Sequence, residues 1–158
     1  MLGRAERKSG GSTQSAEDEF QPRWELFSHE ADMGVRGYGP TLHGAFEQAA
    51  CGMTAVVADP GTIAVQRWIT IRCDAPDNGL LLFEWLNAIV YEMATKKMLF
   101  SRFLVGIEGT RLVARIAGEP VDVARHQPAV EVKGATLTEL LVTQSSDGIW
   151  TAQCVVDV

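Results

Sequence analysis

One segment limits the possible folds more than any other. Between Leu80 and Lys97, the residues Leu82, Leu86, Ile89 and Met93 recur at helical spacing, flanked by Leu81, Trp85 and Val90. Glu84, Asn87, Ala88 and Glu92 fall toward the other side, and Glu92 stands four residues before Lys96, where the two can pair. A helix with so broad an apolar face must bury it against a sheet or another helix. Around it the patterns are mostly extended. Trp24, Leu26 and Phe27 predict a short strand, and Val35-Arg36-Gly37-Tyr38 a second one that Pro40 ends. Thr41 is then a fair N-cap for a second helix carrying Leu42, Phe46, Ala49, Met53 and Val57, stopped by Asp59-Pro60-Gly61.

Ile63 to Cys73 is rich in β-branched residues and predicts a strand. Leu99, Ser101, Phe103, Val105 and Ile107 predict one strand face, Glu108-Gly109-Thr110 a hairpin turn, and Leu112, Ala114 and Ile116 the return, which Gly118-Glu119-Pro120 breaks. Asp122 to His126 suggests a helical turn, and Val130 and Val132 open another extended stretch. Ser145-Ser146-Asp147-Gly148 makes a turn into a last strand, with Trp150, Ala152, Cys154 and Val156 on one face and Thr151, Gln153, Val155 and Asp157 on the other. The expected class is α+β, with mixed or antiparallel sheets packed with two main helices.

At 158 residues this is one domain. Residues 1–22 are polar, with Gly10-Gly11-Ser12 and Glu17-Asp18-Glu19, and predict a disordered extension; residues 23–158 are the folded domain. A net charge of -6 argues against a surface built to neutralise phosphates, so strong direct binding to nucleic acid is not expected. No apolar run reaches the length of a membrane helix and no signal-peptide core is present, which points to a cytoplasmic protein with no membrane partner. Cys51, Cys73 and Cys154 lie far apart in apolar segments and read as buried thiols of a reducing compartment.

Enzyme signatures are missing: no P-loop lysine, no G-x-S-x-G elbow, no paired histidines for zinc. Two acidic positions remain. Asp157-Val158 ends the last strand, so a carboxylate side chain and an α-carboxylate lie side by side; Asp32 follows His29-Glu30-Ala31 and precedes glycines 34, 37 and 39. If the two ends meet, several hard oxygens surround one point and suit calcium, magnesium or manganese. Asp32 can equally cap a turn. His29 could orient a ligand or make a structural hydrogen bond. Lys133, after Val130-Glu131-Val132, is either an edge lysine that blocks aggregation or a charge offered to a partner.

His29-Glu30-Ala31-Asp32-Met33-Gly34-Val35-Arg36-Gly37-Tyr38-Gly39 resembles the H-x-A-D opening of the archease family. Leu82-Phe83-Glu84-Trp85-Leu86-Asn87, Gly118-Glu119-Pro120, Arg125-His126, Glu131-Val132-Lys133-Gly134-Ala135-Thr136 and Val155-Val156-Asp157-Val158 follow in that family's order. The resemblance implies a non-enzymatic, metal-binding activator of the GTP-dependent tRNA-splicing RNA ligase, promoting its guanylylation and repeated turnover in tRNA splicing or RNA repair. It implies a divalent cation, calcium first, on Asp32, Asp157 and Val158, and a functional lysine at Lys133. His29 and Glu30, where threonine is usual, would then support the site or touch the partner. The alternative is a chaperone or specificity modulator of another RNA-modifying enzyme, such as a tRNA cytosine methyltransferase.

Overall fold

A computed structural model describes residues 20–158, so the expected disordered extension lies almost wholly outside the described residues. Among the described residues, eight strands and three α-helices follow in the order β1 (Arg23–His29), β2 (Asp32–Gly39), α1 (Leu42–Val57), β3 (Arg67–Asp74), α2 (Asn78–Lys96), β4 (Met98–Glu108), β5 (Arg111–Pro120), α3 (Val123–His126), β6 (Gly134–Ala135), β7 (Leu141–Gln144) and β8 (Trp150–Asp157). All strand pairs are antiparallel. One sheet runs β1-β2-β8, and the far edge of β8 takes β6 at one end and β7 at the other; the second sheet runs β3-β5-β4. The protein is α+β, as its sequence patterning predicts.

Both long helices begin where their side-chain chemistry says they should. Thr41 accepts from the Gly44 amide and Asp77 from the Leu80 amide, each satisfying one of the donors that a helix start leaves open. α2 buries Leu81, Leu82, Trp85, Leu86 and Ile89, and Glu92 pairs with Lys96 at 3.3 Å on its polar side. Trp85 is wholly buried, and its indole donates to the Phe46 carbonyl at 3.1 Å, so the ring's one polar atom is satisfied in α1.

β2 lies against α1 at backbone distance. A Cβ on Gly37 would sit 2.3 Å from the Ala45 carbonyl oxygen, and one on Gly39 would sit 2.9 Å from the Ala45 nitrogen. These glycines serve close approach of strand to helix, and no larger residue fits without moving the helix.

The predicted strand from Ile63 forms only from Arg67. The reason is Glu119, just 1% exposed near the end of β5. Its carboxylate accepts from the Ala64 amide at 2.6 Å and the Gln66 amide group at 3.2 Å, which bends residues 63–66 off the sheet. Arg125 adds a bidentate pair at 2.7 and 2.8 Å. His126 accepts from the Asp122 amide at Nδ1, leaving Nε2 to donate to Glu119 at 3.0 Å. These partners hold the Glu119 carboxyl far below the usual carboxylate range, Arg125 contributing most. Gly118-Glu119-Pro120 therefore extends β5 instead of breaking it.

Two further expectations change. A bulge between Phe100 and Arg102 shifts the register of β4, so Phe100 is buried and Ser101 turns to donate to the Ile63 carbonyl. β8 is covered on both faces: Val155 and Gln153 are buried along with Ala152, Cys154 and Val156. The stretch from Val130 contributes only the two-residue strand β6.

Substituting Gly37→Ala should destabilise the domain by about 1–3 kcal/mol through overpacking. Gly106→Ala, where the added methyl meets nothing nearer than 3.6 Å, should stay within about 0.5 kcal/mol. Urea midpoints of the two variants test the contrast.

The depressed carboxyls set an acid limit. Glu25, bonded to Tyr38 and Arg36, titrates near 2 instead of 4.5, and Glu119 lower still. Their stabilisation is complete above about pH 4.5, the unfolded value, and is lost as pH falls through the folded values. Glu25 is solvent-screened, so Glu119 should dominate. Urea midpoints should fall steeply below pH 4.5, and Glu119→Gln should flatten that slope while lowering the midpoint at pH 7.

Candidate functional site

The start of β2 and the end of β8 are neighbours. Met33 pairs with Val156, and continuing that register by one residue sets Asp32 opposite Asp157. The amide of Val158 donates to Asp32 Oδ1 at 3.4 Å, joining residues far apart in sequence. Asp157 is exposed, whereas the five residues before it are buried, so an ordered strand delivers its carboxylate to solvent. On the other edge of β8, Gly134 pairs with Asp157 and the Lys133 amide donates to the Asp157 carbonyl at 2.7 Å. Lys133 itself is exposed, beside the acidic tip.

The remaining sequence-predicted residues lie at the β1–β2 turn. His29 pairs with Asp32 across the hairpin. Its Nε2 lies 3.1 Å from Glu139 Oε2, and its Nδ1 3.8 Å from Glu30 Oε2. His29 therefore ties the hairpin to the segment before β7. Glu30 is exposed and has φ +54°, a left-handed conformation usual for glycine or asparagine in such turns. That unusual occupant is why the turn gave no hairpin signal in the sequence.

Asn87, which the sequence pattern sets on the side of the helix away from the apolar stripe, is a further contributor. It lies on α2, and its Oδ1 accepts from the Ala135 amide at 2.9 Å, holding β6 alongside the end of β8. Gly134 leaves room for it: a Cβ there would approach the same oxygen to 3.2 Å. Only the fold could reveal this contact, since 48 residues separate the partners.

The chemistry available at the tip is that of hard oxygen donors. Asp32 and Asp157 supply carboxylates, and Val158 supplies main-chain oxygen, a set that fits calcium or magnesium better than zinc. Among the described residues no group of three or more His, Cys, Asp or Glu side chains is placed to hold a metal. A cation here would need main-chain oxygen and water to complete its shell. The thiols offer no alternative chemistry, because burial pushes Cys51, Cys73 and Cys154 up to about 11. A hollow of about 300 Å³ between α2 and the Val130–Val132 stretch is lined by apolar side chains apart from Glu131. Among the described residues no helix is long and apolar enough to cross a membrane.

Fold and site together define an α+β domain with an acidic, strand-anchored tip. Residues 24–158 match the Archease protein family, and the chain belongs to that family. It is 35% identical to the protein archease of Thermococcus gammatolerans over 140 residues, 86% of this chain and 99% of that one. The Pyrococcus furiosus archease is 34% identical over the same shares. The solution structure of Methanobacterium thermoautotrophicum protein 1598 superposes with a TM-score of 0.76 at 28% identity, covering 85% of this chain and 98% of that one. A crystal structure titled an archease, possible chaperone, from Thermotoga maritima shares the fold, with a TM-score of 0.58 at 15% identity and 85% of this chain covered against 96% of that one.

Replacing Asn87 by Ala leaves the Ala135 amide without its partner and should cost about 1–3 kcal/mol. Amide exchange at Ala135 and Thr136 should accelerate more than exchange in the middle of β8. Uniform acceleration would show instead that Asn87 acts only on global stability.

Proposed function

We propose that this protein is a non-enzymatic activator of the GTP-dependent tRNA-splicing RNA ligase, acting through a divalent cation held at its acidic tip. The observation that carries the reading is the junction of β2 and β8, where the Val158 amide meets Asp32 Oδ1. Asp32, Asp157 and Val158 would hold the cation, calcium being the best fit to a small set of hard oxygens supplemented by water. When bound, it would place positive charge where phosphate oxygens can reach it.

The chain's own residues prepare that contact. The paired strands deliver both carboxylates at a point that solvent and a partner can reach. His29, bridging Glu139 and Glu30, steadies the hairpin that carries Asp32. Lys133 stands at the flank, joined to Asp157 through the backbone, where its ammonium can meet an acidic group or phosphate of the ligase complex. The half-buried Cys51 and Cys73 and the buried Cys154 are protonated at neutral pH and take no part in this contact. The chaperone wording attached to the Thermotoga maritima relative accords with such a role.

The test is multiple-turnover ligation of RNA ends by the purified ligase, with and without this protein. Asp32→Ala and Asp157→Ala should each reduce the stimulation by about tenfold or more, with calorimetric calcium binding lost in parallel. Lys133→Ala should reduce stimulation while leaving calcium binding intact. Full stimulation by all three variants would overturn the proposal, and recovery of a different RNA-modifying enzyme from the native host would point to the chaperone alternative.

A further inference from the structure

The three-stranded sheet turns one face to the core and leaves the other open. Ile71, Leu112, Ala114, Ile116, Phe103 and Val105 fill the core side. The pairing register orders the opposite face in rows across β3, β5 and β4: Trp68, Ala117 and Arg102; Thr70, Arg115 and Leu104; Arg72, Val113 and Gly106; Asp74, Arg111 and Glu108. Arg72, Arg115 and Arg102 therefore form a diagonal, one arginine per strand. Neighbouring positions on it are about 8 Å apart, from a strand spacing of about 4.8 Å and a two-residue rise of about 6.7 Å.

All three arginines are exposed, and none of them makes an ion pair with a described residue. Arg115 lies over the Trp68 ring at 4.8 Å from its centroid. Leu104 and Val113, 50% and 48% exposed, flank the other side of the diagonal beside Gly106, which contributes no side chain. Only the last row carries acid, and there Arg111 lies 3.7 Å from Asp74. On a chain of net charge -6, three uncompensated guanidiniums in line are a local reversal of sign that the overall charge conceals.

We propose that this open face binds single-stranded nucleic acid, with Arg72, Arg115 and Arg102 on successive phosphates and bases resting on the Trp68–Arg115 stack and the Leu104–Val113 floor. Arginine suits both tasks, because its planar guanidinium bonds phosphate and also stacks on rings. An open antiparallel sheet face bearing stacking groups beside positive charge is a surface on which unpaired bases can spread. An acidic protein segment would satisfy the charges but leaves the ring stack and apolar floor without a matching role. A duplex would present its phosphates without offering base faces. The site is on a different sheet from the acidic tip and does not depend on the metal-site reading.

The experiment is fluorescence anisotropy of the full-length protein with labelled 12-nucleotide single-stranded RNA and DNA, the same RNA as duplex, and a polyglutamate peptide. Binding to both single strands should exceed that to duplex and peptide, with a dependence of log affinity on log salt near -2, as about three phosphate contacts require. Combined Arg72→Gln, Arg102→Gln and Arg115→Gln should weaken single-strand binding by about tenfold or more. Trp68→Ala should weaken it by about fivefold or more with little change in the salt slope. Lys96→Gln with Lys97→Gln, removing two charges elsewhere, should leave binding unchanged; circular dichroism confirms that each variant folds. Binding unaffected by the triple change overturns the proposal, and peptide binding as tight as RNA binding replaces it with an acidic protein partner.

Discussion

Everything near the acidic tip depends on β8 being hydrogen-bonded along both of its edges. β2 pairs with one edge, and β7 and β6 with the two ends of the other. A slip of one residue against either neighbour would exchange the two faces, taking Ala152, Cys154 and Val156 out of the core and turning the Gln153 amide into it. The register is therefore strongly specified, and the position of Asp157 relative to Asp32 follows from it. Burial of the five residues from Ala152 to Val156 keeps the strand from fraying before it reaches the exposed aspartate.

Glu119 does corresponding work in the second sheet. Accepting from the Ala64 amide, Gln66, Arg125 and His126, it gathers two connecting segments over one end of β5. A buried carboxylate is tolerated there because each oxygen has charged or backbone donors. These segments cover only that end. The rest of the outer face stays open, and its arginines face solvent instead of carboxylates. The molecule thus separates its charge, with an acidic tip on one sheet and a basic diagonal on the other, and in a protein of the archease family the two surfaces can serve different contacts.

Much of this architecture was legible in the chain. The stripe from Leu81 to Ile89 and the cap Thr41 are local signals, so both long helices could be read directly, while the cap Asp77 came only with the structure. The β4–β5 hairpin announced itself through alternation and Gly109. Legibility failed where a distant partner overrode local preference: residues 63–66 have strand-like side chains but bend to reach Glu119, and Asn87 sits on a polar helix face yet holds the Ala135 amide. Glu30 hid a hairpin turn because a glutamate took the left-handed position.

Sequence by itself determined the α+β class, the helices and the residue types at the tip, because periodicity and ordered motifs are properties of neighbours along the chain. Only the tertiary structure decided that Asp32 and Val158 touch, that Lys133 flanks Asp157 through its backbone, and that three arginines from three strands fall on one diagonal. Each of these is a consequence of strand register. Register is set by which face must be buried across the whole sheet, and no single segment carries that information.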